Sequence, residues 1–200
     1  MKNAARSEAG IAGLVLAAGA GRRMGRPKAL IRAADGVAWV VRTARVLGEA
    51  GCSPVVVVVG AAADDVRAEL SGEPVTVVEA TDWAEGMSAS LRAGLTYLRT
   101  ASADAVSVVT VDVPGLTPEV VRRVDARAGS AVLARAMYDG RVGHPVLIGR
   151  EHWDGVVAVA HGDEGARPYL RGRDVVAVEC ADLADGLDVD TVEELPPGHG

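Results

Sequence analysis

The chain has 200 residues with a hydrophobic fraction of 49%, enough apolar side chains for the core of one domain of ordinary size, which excludes a disordered chain. Its 21 basic and 27 acidic residues leave a formal charge of −6, which repels polyanions and argues against nucleic acid as the main partner. Two cysteines, Cys52 and Cys180, are too few for a disulfide framework or a cysteine-rich zinc site.

In chain order, the polar segment 1–10 lacks the apolar stretch of a secretory signal and is expected as a flexible leader. No apolar run approaches the roughly 18 residues of a membrane span, so a cytoplasmic protein with no membrane partner is expected. Segment 11–18 is an apolar run feeding a Gly-rich loop, the pattern of a strand buried on both faces. The β-branched runs 54–60, 74–79 and 105–111 read as further strands. Between them, 37–50, 63–70 and 88–100 read as helices, the last with Leu91, Leu95 and Leu98 on one stripe. This alternation predicts a parallel sheet covered on both faces. Beyond Pro114 the pattern loosens: a helix over 119–128, a strand over 130–136, and a mixed segment 139–163 holding a short helix at 151–160. A late strand at 174–179 and a helical turn at 191–195 follow. With no repeat or linker, 11–195 is expected as a single domain, with 196–200 as a frayed tail.

Ligands of a parallel sheet bind beyond the carboxyl ends of its strands, so the loop over 16–28 is the first candidate site. Gly19, Gly21 and Gly25 permit backbone angles closed to other residues and let a phosphate approach main-chain N–H groups. Arg22, Arg23, Arg26 and Lys28 place four cations within seven residues, an anion site. A Walker loop is absent, because Lys28 follows Pro27 and precedes Ala29. A dinucleotide fingerprint is absent too, because Met24 stands where its third glycine belongs. Pro27 opposes helix, so the loop is expected to be extended and to wrap its ligand.

The stretch Leu16-Ala17-Ala18-Gly19-Ala20-Gly21-Arg22-Arg23-Met24-Gly25-Arg26-Pro27-Lys28 resembles the opening motif of nucleotidyltransferases that move a nucleoside monophosphate from an NTP onto a small phosphorylated acceptor. The resemblance implies a Rossmann-like three-layer α/β sandwich with a mostly parallel central sheet, of the nucleotide-diphospho-sugar transferase type. It implies nucleotide contacts from Leu16, Ala17, Ala18, Gly19, Gly21, Arg22, Arg23 and Lys28, with Arg23 and Lys28 also catalytic.

Asp112 ends the fourth strand ahead of Pro114, where a carboxylate points into the ligand crevice, while Thr117 before Pro118 is the better cap for the next helix. The resemblance gives Asp112 a catalytic role and the Mg2+ that bridges the triphosphate. Asp188 and Asp190, in a segment similar to the family's D-x-D-T motif, are candidates to complete the metal site. They are expected on opposite sides of an extended backbone, so that only one, preferably Asp190, shares the ion. Ser88 is read as the N-cap of the helix that presents Ser90, and resemblance carries Gly86 and Ser90 to the base pocket. Segments Gly143-His144-Pro145 and 162–167 look like those of molybdenum cofactor cytidylyltransferases, which places His144 and Arg167 at the phosphate of molybdopterin. The Leu-Ala-Ala-Gly form resembles CTP enzymes more than the related guanylyltransferases.

The reaction expected is CMP transfer from CTP to molybdopterin with release of pyrophosphate, and a recipient molybdoenzyme is expected as a further partner. The alternatives are transfer from GTP, another small phosphorylated acceptor, or a non-catalytic nucleotide- or cofactor-binding chaperone.

Overall fold

The β-branched runs form strands in the computed structural model, which describes residues 10–200: β1 (Ile11–Leu16), β2 (Val55–Val59), β3 (Thr76–Glu79) and β4 (Ala105–Thr110) lie parallel. Three later strands, β5 (Leu133–Tyr138), β6 (Arg141–Gly149) and β7 (Val176–Glu179), extend one seven-stranded sheet in the order β3-β2-β1-β4-β6-β5-β7. β6 is antiparallel to both neighbours, β4 and β5, whereas β7 is parallel to β5, so the sheet is mostly parallel.

Side-chain alternation along the strands splits the core into two layers. Val15, Val57, Val59 and Val109 face α1 (Trp39–Ala50), α2 (Ala63–Glu69) and α4 (Pro118–Asp125). Leu14, Leu16, Val58 and Val108 face α3 (Met87–Leu98), α5 (Trp153–Val159) and α6 (Arg167–Leu170). Leu91, Leu95 and Leu98, the stripe expected on α3, are all buried in this second layer. The result is the three-layer α/β sandwich expected.

Two expectations need correction. Segment 139–163, read as irregular before its helix, contains the nine-residue strand β6. Gly143, Pro145 and Gly149 hide the period-2 pattern, and only Val146, Leu147 and Ile148 read as strand. Residues 196–200, expected to fray, are bonded to the body: Arg32 and Gly200 exchange backbone hydrogen bonds of 3.0 Å, and the Trp39 indole N–H donates to His199 Nδ1. Of the expected leader only Gly10 lies within the described residues. Cys52 and Cys180 are free, buried thiols, and no helix among the described residues is long and apolar enough to cross a membrane.

One buried group opposes the fold. Asp125, at the end of α4, accepts from the Cys52 thiol at 3.5 Å through Oδ2, while its Oδ1 is buried without a partner. The Ser107 hydroxyl faces the same carboxyl without meeting it at hydrogen-bond geometry. Burial raises the Asp125 pKa from 3.8 to about 6. Between those values the folded chain keeps a proton that the unfolded chain releases, so stability through this group falls as pH rises and levels off above about 6. Asp125→Asn is therefore expected to gain stability over the wild type between pH 4 and 6, reaching on the order of 3 kcal/mol above that range. Urea unfolding of both proteins across this range checks it, and a difference independent of pH contradicts it.

Candidate active site

The chain steps outward from β1 to β2 and β3, then returns to lay β4 on the other side of β1. The crevice beyond the carboxyl ends of β1 and β4 lies at this reversal of strand order, where open α/β sheets bind ligands. A cavity of about 550 Å³ opens there. Leu16, Ala18, Gly19, Gly21, Arg22, Arg23 and Lys28 line it from the loop after β1, Asp112 from the end of β4, Gly86 and Ser90 from the start of α3, and Asp188 and Asp190 from the C-terminal segment. Residues far apart in sequence thus converge on one space large enough for a nucleotide.

The loop after β1 is coiled rather than extended. Met24 N–H donates to the Gly21 carbonyl at 2.9 Å, and Lys28–Leu30 form a 3-10 turn after Pro27. Gly21 sits at φ +61, and a Cβ there would lie 1.8 Å from the Arg26 carbonyl oxygen, so the loop closes on itself only because residue 21 has no side chain. Met24 anchors the loop from beneath, packing with Ile31, Ala33, Trp39 and Val189 in a small apolar cluster. Ala17, expected among the nucleotide contacts, does not line the cavity: it is buried in the layer with α1, and its N–H donates to the Val58 carbonyl.

At the floor of the cavity Lys28 Nζ donates to Asp112 Oδ2 at 2.9 Å and to Asp190 Oδ1 at 2.5 Å. Arg23 Nη1 reaches the other oxygen of Asp190 at 2.8 Å. Burial works against the Lys28 charge, but Asp112 and Asp190 outweigh it and hold the ammonium above its ordinary pKa. The bond from Lys28, aided by Arg23, holds Asp190 below the usual carboxylate value. Asp112 is free to face the cavity because Thr117 caps α4, accepting from Val120 N–H, with Pro118 as the first helical residue.

The expectation that Asp188 and Asp190 diverge is corrected. An extended backbone repeats every two residues, which puts both acids on the same side and Val189 on the other. Val189 N–H donates to the Asp112 carbonyl at 2.8 Å and its side chain enters the Met24 cluster, leaving Asp188 and Asp190 to line the cavity together.

Two carboxylates that touch one ammonium are close enough to share one divalent cation, and Mg2+ is typically held by one or two carboxylates plus phosphate and water oxygens. Among the described residues no group of three or more His, Cys, Asp or Glu forms a ready metal cage, so a metal here would draw its remaining ligands from substrate and water. The donor set fits that arrangement: Asp112 and Asp190 could supply the carboxylate oxygens, and Asp188 lines the same cavity.

On the α3 side of the cavity, Ser88 is not the N-cap of the helix. The cap is Gly86 at φ +113, where a Cβ would lie 2.5 Å from Asp163 Oδ1. Ser88 is fully buried; its hydroxyl donates to the His161 carbonyl and accepts from Gly165 N–H, and Asp163 accepts from Met87 N–H. These bonds staple the 161–165 segment to the start of α3. Trp83, Glu85, Met87, Thr110 and Asp163 also line the cavity and were not singled out in the sequence. Trp83 carried a signal, as one of three tryptophans in a chain with 3% aromatic residues. Its Cβ and that of Ala18 would lie within 2.7 Å of a side chain at Gly60, so those two walls meet over a glycine.

His144 and Arg167 do not line this cavity. The His144 ring faces the Val108 carbonyl through Nδ1 at 3.2 Å, and because a carbonyl only accepts, Nδ1 carries the proton. Burial pushes His144 below its ordinary pKa, against the pull of Asp112 and Asp188, and the neutral ring keeps only a lone pair on Nε2. Arg167 is close enough to act on the His144 charge and is itself exposed.

A glycine-rich turn, a cationic rim and an acid pair at the strand-order reversal of a mostly parallel sheet define a nucleotide-binding α/β protein. The chain belongs to the MobA-like NTP transferase family, whose model matches residues 13–182. Among its relatives, nicotine blue oxidoreductase of Paenarthrobacter nicotinovorans is 36% identical over 195 residues, covering 92% of this chain and 94% of that one. Molybdenum cofactor guanylyltransferase of Rhodobacter capsulatus is 32% identical over 143 residues, 72% of this chain and 65% of that one. Among solved structures, Rv0371c of Mycobacterium tuberculosis superposes with a TM-score of 0.78 at 28% identity, covering 94% of this chain and 96% of that one. A manganese complex of Rv0371c gives a TM-score of 0.72 at 29% identity, with coverage of 92% and 95%.

Proposed function

We propose that the protein transfers CMP from CTP to the phosphate of molybdopterin, releasing pyrophosphate. The observation that carries this reading is the cluster of Lys28, Asp112 and Asp190 beneath the 16–28 loop, where cations and an acid pair meet at the strand ends. In the reaction, an oxygen of the acceptor phosphate attacks the α-phosphorus of CTP in line, the bond from that phosphorus to the bridging oxygen breaks, and pyrophosphate leaves with the electron pair. No covalent enzyme intermediate is needed, since the acceptor is already a nucleophile at neutral pH. Catalysis then rests on positioning and charge neutralisation.

Backbone N–H groups of the coiled loop and the Arg22, Arg23 and Lys28 cations receive the triphosphate. Lys28, a compact charge on a flexible stem, follows charge as it moves from the α-phosphate to the leaving group. Gly86 and Ser90, with Trp83 opposite Ala18, enclose the base. A divalent ion, held by Asp112 with Asp190 or Asp188, supplies further neutralisation of phosphate charge when bound; the manganese complex of Rv0371c supports such an ion here. The acceptor phosphate is read toward exposed Arg167, with neutral His144 nearby. Ala18 favours CTP over GTP, a preference set against the guanylyltransferase relative. A recipient molybdoenzyme then takes the product.

A second reading, a redox reaction, is favoured by one finding: the relative that matches nearly end to end is named an oxidoreductase. Pyrophosphate release with each NTP and Mg2+, with and without molybdenum cofactor, separates the readings. Release with CTP only when the cofactor is present is expected. Release only with GTP, or only with another phosphorylated acceptor, moves the assignment within the family. Nucleotide binding without release supports a chaperone, and oxidation of a reduced nicotinamide nucleotide with a dye acceptor supports the redox reading.

A further inference from the structure

In the structure the acid pair already has a cation from the chain itself. Lys28 Nζ makes charge-assisted bonds of 2.9 Å to Asp112 and 2.5 Å to Asp190, and the three side chains are only 15%, 21% and 29% exposed. Arg23 holds the remaining oxygen of Asp190. A divalent ion placed between these carboxylates would face the ammonium at contact distance, so the two cations compete for the same oxygens. The backbone of Lys28 cannot drift to relieve this, since Pro27 precedes it and Ala29 behind it is buried. Its four-carbon stem is the part that can move, and the cavity lined by the 16–28 loop is where it can go.

We propose that Lys28 acts as an internal cation that closes the Asp112–Asp190 pair to a free divalent ion, and that an arriving triphosphate opens the pair by drawing the ammonium onto its phosphate oxygens. Nucleotide, or nucleotide carrying its own metal, therefore binds before free metal does. This rests on the reading that a triphosphate binds under the 16–28 loop, but its first half concerns the nucleotide-free protein and stands separately. Lys28 thus has two successive partners, the acids and then the phosphates, and the same side chain that neutralises transferred charge also sets the order of assembly.

The sequence makes this directly measurable, because Lys2 and Lys28 are the only lysines in the chain. In protein labelled with 15N-lysine, the Lys28 ammonium signal is expected to be unmoved by millimolar Mg2+ alone and to shift when CTP or GTP is added without metal. In parallel, Mn2+ binding to nucleotide-free protein is read from loss of the free-ion electron paramagnetic resonance signal. Lys28→Met, checked for cooperative unfolding, is expected to bind Mn2+ at least about tenfold more tightly than the wild type, the scale of one competing charge-assisted hydrogen bond. A folded Lys28→Met that binds Mn2+ no better than the wild type overturns the proposal, as does a Lys28 signal displaced by Mg2+ alone or unmoved by either nucleotide. Should that variant fail to fold, the labelled wild type decides the matter. A wild type that releases no pyrophosphate with any NTP and acceptor, beside a clear Mn2+ gain in Lys28→Met, would sink the functional reading and leave the closed acid pair standing; pyrophosphate release by the wild type, beside equal Mn2+ binding in the two proteins, would do the reverse.

Discussion

Lys28→Ala and Asp112→Ala are each expected to lower turnover at least roughly a hundredfold, the scale of losing one strong electrostatic contact in a preorganised site. Lys28 touches both acids, so its loss removes the charge that neutralises them and leaves Asp112 and Asp190 facing each other. Asp112 stands at the end of β4 with its helix capped by another residue, so its removal disturbs no helix terminus. Both variants should keep cooperative thermal unfolding, because their side chains lie at the sheet's ligand end and outside the apolar layers. Steady-state pyrophosphate release measures the loss, and turnover near wild type in either variant removes that residue from the mechanism.

The second large effect is expected at Gly21. Gly21→Ala puts a side chain into a left-handed backbone position, which costs about 1 kcal/mol before any contact is considered. Its Cβ would also lie 1.8 Å from the Arg26 carbonyl oxygen and 2.6 Å from the carbonyl carbon, backbone atoms that yield only if the loop opens. Opening the loop pulls Arg22, Arg23 and Lys28 off the cavity together. A loss of nucleotide affinity of at least about tenfold is therefore expected, the scale of losing even one phosphate contact, measurable by titration calorimetry. Gly19→Ala is the contrast, since a Cβ there meets nothing within 4 Å and the loop's own folding is untouched. Equal melting temperatures for the two variants would mean that the turn at Gly21 is not what shapes the loop.

The sheet and its main helices were legible because β1, β2 and β4 are buried on both faces and so appear as short, largely apolar stretches. β6 was illegible for the opposite reason: it begins exposed, carries a proline and two glycines, and becomes apolar only over its last third. The site was legible where chemistry is local, as in the 16–28 loop with its glycines and cations. The convergence of Asp112 with Asp190 was legible only through family resemblance, because their meeting depends on a backbone bond from Val189 to Asp112 that no spacing announces. The side-by-side placement of Asp188 and Asp190 follows from the period of two in an extended chain. His144 was read as a phosphate ligand from its neighbours in sequence, whereas its protonation is set by burial and by the Val108 carbonyl across the sheet. The stapling of 161–165 onto α3 through Ser88 was invisible for the same reason, since both partners are ordinary polar residues until the fold brings them together.

The central claim is that the turn after β1 wraps a triphosphate while an acid from the end of β4 faces the same space. A crystal structure with CTP and Mg2+ tests it most directly. The account predicts phosphates against the backbone of residues 19–28, Lys28 moved from the acid pair onto phosphate oxygens, and the ion on Asp112 with a second acid from Asp188 or Asp190. Nucleotide bound elsewhere, with the 16–28 turn empty and Lys28 still bridging Asp112 and Asp190, would contradict it.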